Sequence, residues 1–117
     1  MDHRADALPR TDVLSVDGFT VAVRRVAGRV LVELRGELDA GTASTLADHL
    51  APLAGSGLDL EVDLRHLTFL DCAGVSAILR CADELGGQGD LVLRSPSAST
   101  ARLLALLDLG QWVRIEP

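Results

Sequence analysis

The sequence predicts an α/β domain: a mixed β-sheet of four to five strands with helices packed mainly on one face. Two observations lead to this prediction. Segments with apolar residues at every second position are interleaved with segments whose apolar residues recur at helical spacing, in the order β-β-α-β-α-β-α with a possible final strand. Such alternation of strands and helices is typical of a helical layer packed on a sheet.

The strands are predicted from alternation of apolar and other residues. Residues 19–24 and 30–34 alternate in this way around a turn at residues 27–28, which predicts a β-hairpin. Residues 58–65 alternate leucine or valine with charged residues, so one face of that strand should contact water. A shorter strand is predicted at residues 91–93.

Three amphipathic helices are predicted between and after these strands. The first covers residues 43–54, and Thr42 or Asp39 can cap it, because a side-chain oxygen there accepts unpaired backbone N–H groups. The second carries an apolar stripe over residues 75–85. The third is rich in leucine over residues 101–109 and is compatible with a homodimer.

The first residues show neither the alternation of a strand nor the apolar spacing of a helix. We therefore predict a flexible N-terminal tail at residues 1–14 and a single domain at residues 15–117. The full length of 117 residues is that of one domain, long enough to bury a core.

Composition and charge exclude several classes of function. The net charge of −6 disfavours binding to phosphate backbones, and aromatics at 3% offer few stacking platforms for nucleic acid. No apolar run approaches the roughly 20 residues of a membrane helix, and no secretory signal opens the chain. We expect a cytoplasmic protein without membrane insertion, whose two cysteines are reduced.

The segment Phe69-Leu70-Asp71-Cys72-Ala73-Gly74-Val75 places an acid and a thiol between a strand and a helix. A helix N-terminus favours a thiolate, which makes Cys72 a candidate for a thiol enzyme or redox sensor. The neighbouring carboxylate disfavours a thiolate, and no nearby histidine or C-x-x-C motif supports the reaction. The other interpretation is a small residue without chemical function.

Asp39 and Asp71 each follow a predicted strand and can lie close together, as acid–base pairs do. Without further polar groups the simpler interpretation of Asp71 is helix capping. No set of histidine, cysteine and carboxylate side chains has the spacing of a metal site. We predict no catalytic residue, metal or cofactor.

Three stretches resemble a known family. They are VELRGELD at residues 32–39 with Thr42-Ala43, VDLRHLTFLD at residues 62–71 with a small pair and Gly74, and RLLAL at residues 102–106 with Gly110. Together these stretches resemble the STAS domain family, of the bacterial anti-sigma factor antagonist (anti-anti-sigma factor) type. The resemblance implies a STAS-like single domain.

In that family the domain binds an anti-sigma factor, often an ATPase-type serine kinase, and thereby frees a sigma factor for transcription. The resemblance implies a non-enzymatic protein-binding module with such a partner. The family's phosphoacceptor serine or threonine follows the aspartate, but Cys72 and Ala73 stand here and neither accepts phosphate in that way. The phosphorylation switch is therefore predicted to be absent or altered, and Ser76, one helical turn on, is a candidate for a displaced acceptor.

The predicted partner-binding residues are Asp39, Asp71, Cys72, Ala73, Gly74, Val75 and Ser76. A second interpretation within the same fold is a STAS subunit of a larger assembly, such as a lipid-transport ATPase complex or a stress-signalling scaffold. In such an assembly, a loop that cannot be phosphorylated is expected.

Overall fold

The computed structural model describes residues 11–55, 57–85, 87 and 89–117. The elements are β1 (Thr11–Val16), β2 (Phe19–Val26), β3 (Arg29–Leu38), α1 (Ala43–Ala54), β4 (Asp59–Leu70), α2 (Cys72–Leu85), β5 (Leu91–Arg94), α3 (Ala98–Leu106), a 3-10 helix (Leu109–Gln111) and β6 (Arg114–Glu116). The predicted order of strands and helices is confirmed.

The six described strands form one mixed sheet in sequence order, β1-β2-β3-β4-β5-β6. The first three strands are antiparallel, and β3 to β6 are parallel. The prediction of four to five strands missed one, because β1 takes residues 11–14 from the segment predicted as a tail. β1 is an edge strand whose Val13 is 62% exposed, so it lacks the alternation that marks a half-buried strand. The remainder of the predicted tail, residues 1–10, lies outside the described residues.

The core lies between one face of the sheet and the helices. Val23, Val32, Val62 and Leu93 are in register across β2 to β5 and are all buried. The helices cover this row with buried residues, among them Leu46, Leu50, Ile78 and Leu104. Burial of each such aliphatic side chain contributes about 1.5 to 3 kcal/mol. The apolar faces of the strands and of the helices therefore pack against each other on one side of the sheet.

The other face of the sheet carries charged side chains, as the alternation in β4 predicted. Glu61 forms ion pairs with Arg29, at 3.8 Å, and with Arg94 on the next strand. Arg94 also pairs with Glu116 on β6, at 3.4 Å. The acids of β4 are therefore partly neutralised by arginines of neighbouring strands. Among the described residues, no helix is both long and apolar enough to cross a membrane.

Candidate partner-binding site

Two strand-to-helix connections meet at one edge of the sheet. Leu38 and Leu70, the last residues of β3 and β4, are in register, and the backbone N–H of Asp71 donates to the carbonyl oxygen of Leu38 at 3.3 Å. Because carboxyl ends of parallel strands lie at the same edge, Asp39 and Asp71 begin two adjacent loops. The structure therefore brings together the two segments that the sequence analysis singled out.

Asp39 organises the first connection. Its Oδ1 accepts hydrogen bonds from the backbone N–H of Gly41 at 2.9 Å and of Thr42 at 3.2 Å. The hydroxyl of the buried Thr42 accepts from the N–H of Asp39 at 3.0 Å and donates to the carbonyl of Glu37 at 3.1 Å. Side-chain bonds of this kind satisfy backbone groups ahead of α1 and hold the loop in one conformation.

Asp71 organises the second connection. Its Oδ1 accepts from the backbone N–H of Gly74 at 3.1 Å, which confirms the prediction that this carboxylate caps the helix. The cap places Cys72 as the first residue of α2, exposed to solvent. Ser76, one turn further on, is also exposed, and Ala73 is half-buried.

Gly74 and Val75 contribute to the site from below its surface. Both are buried, so they can shape a partner-binding surface but cannot contact a partner directly. A Cβ at Gly74 would lie 2.6 Å from Cδ1 of Leu70 and 2.9 Å from the carbonyl oxygen of Leu38. The absence of a side chain at Gly74 lets the first turn of α2 pack directly on the ends of β3 and β4.

Phe69 is a surface residue that the sequence analysis did not select. Its side chain is 46% exposed, and it is in register with the exposed Glu37 on β3, next to the pair of Leu38 and Leu70. The register between β3 and β4 shifts just before the pair of Glu37 and Phe69, which breaks the alternation of buried and exposed side chains along β4. A period-two pattern cannot locate such a shift, so only the structure identifies Phe69 as an apolar residue beside the loops.

The two thiols lie in different environments. Cys81 is buried, and burial, with a smaller contribution from Glu84, raises the pKa of its thiol to about 11. Cys72 and Cys81 are nine positions apart on the helix, a rise of roughly 13 Å, far beyond the reach of a disulfide. Cys81 therefore cannot resolve an oxidised Cys72, and the pair is not a dithiol redox centre.

The comparisons with known proteins agree with this architecture. The STAS domain family model matches residues 20–117, and the chain belongs to the STAS domain family. The anti-sigma-B factor antagonist of Bacillus subtilis (strain 168) is 30% identical over 98 residues, covering 83% of this chain and 90% of the relative.

Two solved structures show the same fold. An anti-sigma factor antagonist from Mycobacterium paratuberculosis superposes with a TM-score of 0.74 at 25% identity, over 89% of this chain and 91% of that one. The anti-sigma factor antagonist SpoIIAA in its unphosphorylated form gives a TM-score of 0.69 at 22% identity, over 81% of this chain and 86% of that one. The fold class predicted from the sequence is thereby confirmed.

Proposed function

We propose that this protein is a non-enzymatic module of the anti-sigma factor antagonist type, which binds an anti-sigma factor or a related ATPase-type serine kinase and so releases a sigma factor. The observation that carries the proposal is the pair of capped loops at one sheet edge: Asp39 organises the first, and Asp71 begins the second, which continues into the exposed Cys72 and Ser76. The similarity to the Bacillus subtilis anti-sigma-B factor antagonist supports the same assignment.

The local geometry suits recognition of a protein. Both aspartates already use one carboxylate oxygen to hold backbone N–H groups, so the loops need little ordering when a partner binds. Phe69 adds an exposed aromatic ring beside them, the kind of side chain that often dominates the binding energy of an interface. A preorganised loop pair with an adjacent aromatic residue suits the docking of a folded partner.

The proposal includes the absence of the phosphorylation switch at the first position of α2. A phosphate there would add roughly −1.5 to −2 charges at an interface that already contains Asp39 and Asp71. Such like charges disfavour the complex, so phosphorylation would release the partner. Cys72 has a thiol in place of the hydroxyl and Ala73 has no acceptor, so docking is retained while this route of release is lost.

The test is a pull-down from lysate of the source bacterium with the wild-type protein and Cys72→Ser, each with and without ATP. We expect both to capture the same ATPase-type anti-sigma factor, and only Cys72→Ser to be phosphorylated at residue 72 and released. Phosphopeptide analysis of the wild-type bait also tests Ser76, because phosphate on Ser76 itself would show a displaced acceptor.

Asp39→Ala and Asp71→Ala serve as surface variants in the same experiment, with Asp12→Ala as control. Asp12 is an exposed residue of β1, at the edge strand of the sheet. The two loop variants should capture less anti-sigma factor than wild type, and Asp12→Ala the same amount. Capture of a transporter ATPase, or equal capture by all variants, would contradict the proposal. The cytoplasmic location and a homodimer stay predictions, which cell fractionation and light scattering test.

A further inference from the structure

A second surface lies at the other end of α2. Trp112, the single tryptophan of the chain, is 66% exposed just after the 3-10 helix. It borders a cavity of about 450 Å³ lined also by Leu79, Ala82, Asp83 and Gly87. It also borders a second cavity, of about 470 Å³, lined by residues that include Leu85, Asp90, Leu91 and Val113. Trp112 thus borders two depressions, of which the first has mainly apolar walls and the second has both apolar and polar walls.

This surface is separate from the capped loops. Cys72 begins α2 and Leu85 ends it, a rise of roughly 20 Å along 14 residues. Gly89 and Asp90 precede β5 and residues 110–113 precede β6, so they lie at the opposite edge of the parallel strands from Asp39 and Asp71. A partner on the Trp112 surface would leave the loop surface accessible.

The acids around Trp112 form no ion pair with the residues that the structure describes. Asp83 and Asp90 line the cavities, and none of the ion pairs among the described residues includes them or Glu84. Arg114, the cation among the described lining residues, pairs with Glu116 at 3.2 Å. The surface therefore combines apolar groups with carboxylates that have no ion pair within the described part of the chain.

The position of two of these acids is unfavourable for the isolated protein. Asp83 and Glu84 occupy the last turn of α2, which contains no basic residue. The C-terminal end of a helix carries partial negative charge, so carboxylates there are repelled unless a cation is nearby. Arg80, one turn earlier on α2, forms no ion pair with either acid among the described residues, so both carboxylates are available to a cationic partner.

We infer that Trp112 and the cavities beside it bind a cationic amphipathic segment of a partner protein. Apolar side chains of that segment would fill the cavities against Trp112, and its lysine or arginine side chains would face Asp83, Glu84 and Asp90. A second copy of this chain is the less favourable occupant, because a symmetric contact would bring the same acids against each other. The site is additional to the proposed loop surface and does not depend on it.

The experiment uses the tryptophan as its own reporter, since the chain has one tryptophan and no tyrosine. The full chain is titrated with a synthetic amphipathic peptide of leucine and lysine, and with the same peptide carrying glutamate in place of lysine. We expect a blue shift of Trp112 emission with the lysine peptide alone, and weaker binding at high salt.

Variants locate the binding site. Asp83→Asn with Asp90→Asn should lower the affinity for the lysine peptide by up to about ten-fold, as expected for the loss of two exposed ion pairs with the peptide. Asp12→Asn with Asp17→Asn, at exposed positions of β1 and of the turn that follows it, removes the same two charges and should leave the affinity unchanged. Asp39→Ala should also bind like wild type, so failure of this inference is distinguishable from failure of the proposed function. Circular dichroism confirms that each variant is folded.

Three results would overturn the inference. The first is no shift of Trp112 emission with the lysine peptide, or an equal shift with the glutamate peptide. The second is an equal loss of affinity for the Asp12/Asp17 variant and for the Asp83/Asp90 variant, which would indicate attraction by net charge alone. The third is a concentration-dependent blue shift without peptide, together with dimer mass in light scattering, which would assign the surface to a second copy.

Discussion

Oδ1 of Asp71 lies 3.1 Å from the backbone nitrogen of Gly74, and this hydrogen bond fixes the start of α2 directly after β4. No loop residue intervenes between Leu70 and the cap, so the thiol of Cys72 is held at the first helical position and exposed. The same carboxylate thus stabilises the helix and positions Cys72, the residue that we propose stands at the family's phosphoacceptor position.

Loss of this cap should destabilise the fold. We expect Asp71→Ala to lower the free energy of unfolding by about 1 kcal/mol, because the backbone N–H of Gly74 at the helix start loses its acceptor. Urea unfolding measures the change. Asp71→Ser is the matched control, because serine is a comparable cap and should remain near wild type. Equal losses for both substitutions would show that the hydrogen bond to Gly74 contributes little.

Gly74→Ala should destabilise although alanine is the better helix former. The new Cβ would lie 2.6 to 2.9 Å from atoms of Leu70 and Leu38, so strand ends and helix must separate. We expect a loss of about 1 to 3 kcal/mol in urea unfolding, larger than the gain of roughly 1 kcal/mol in helix propensity. Gly110→Ala is the control, because a Cβ there meets nothing within 4 Å. A stable Gly74→Ala would contradict the close approach of α2 to the strands.

The two cysteines should differ in reactivity. Iodoacetamide at neutral pH should modify the exposed Cys72 in the native protein and reach the buried Cys81 only after unfolding. Mass spectrometry of tryptic peptides, with and without urea, measures both sites. In peroxide we expect no disulfide between them, because the helix holds them too far apart. Native modification of Cys81 would indicate local opening of α2.

Stability should depend on pH above neutrality through Cys81. Its pKa is raised from 9.0 to about 11 by burial, so the folded state holds this proton more tightly than the unfolded state. The free energy of unfolding is therefore unaffected by the titration of Cys81 below pH 9. It falls by on the order of 2 kcal/mol as the pH rises through 9 to 11. Cys81→Ala should lose less stability over that range than wild type does. Parallel urea curves at pH 8 and 11 make the comparison.

Phe69 should contribute to partner binding more than to stability. Its ring is 46% exposed, so Phe69→Ala removes less packing than truncation of a core residue does. If the loop surface binds an anti-sigma factor, Phe69→Ala removes an aromatic contact at the interface. Such a loss costs at least about 1.4 kcal/mol of binding free energy, so the affinity for the anti-sigma factor falls about ten-fold or more. Val13→Ala, at a 62% exposed position on the edge strand, is the control. Equal affinities would place Phe69 outside the interface.

Much of the fold was predictable because it depends on local periodicity. The alternation around residues 27–28 predicted the hairpin of β2 and β3, which the structure confirms. The pattern of β4 predicted its water-facing side, where Glu61 and Arg94 now pair. These predictions succeed because the side-chain period of a strand or helix is a property of the local backbone.

The sequence by itself determined which residues of β2 and of the regular part of β4 face the core and that Asp71 can cap α2, since both follow from spacing along the chain. Tertiary structure decided the rest: that β1 pairs with β2, that Phe69 is exposed by a register shift, and that Gly74 lies against Leu38. It also placed Trp112 at the border of two cavities, beside Asp83 and Asp90. Each of these facts joins residues distant along the chain, and only packing of the whole domain sets such distances.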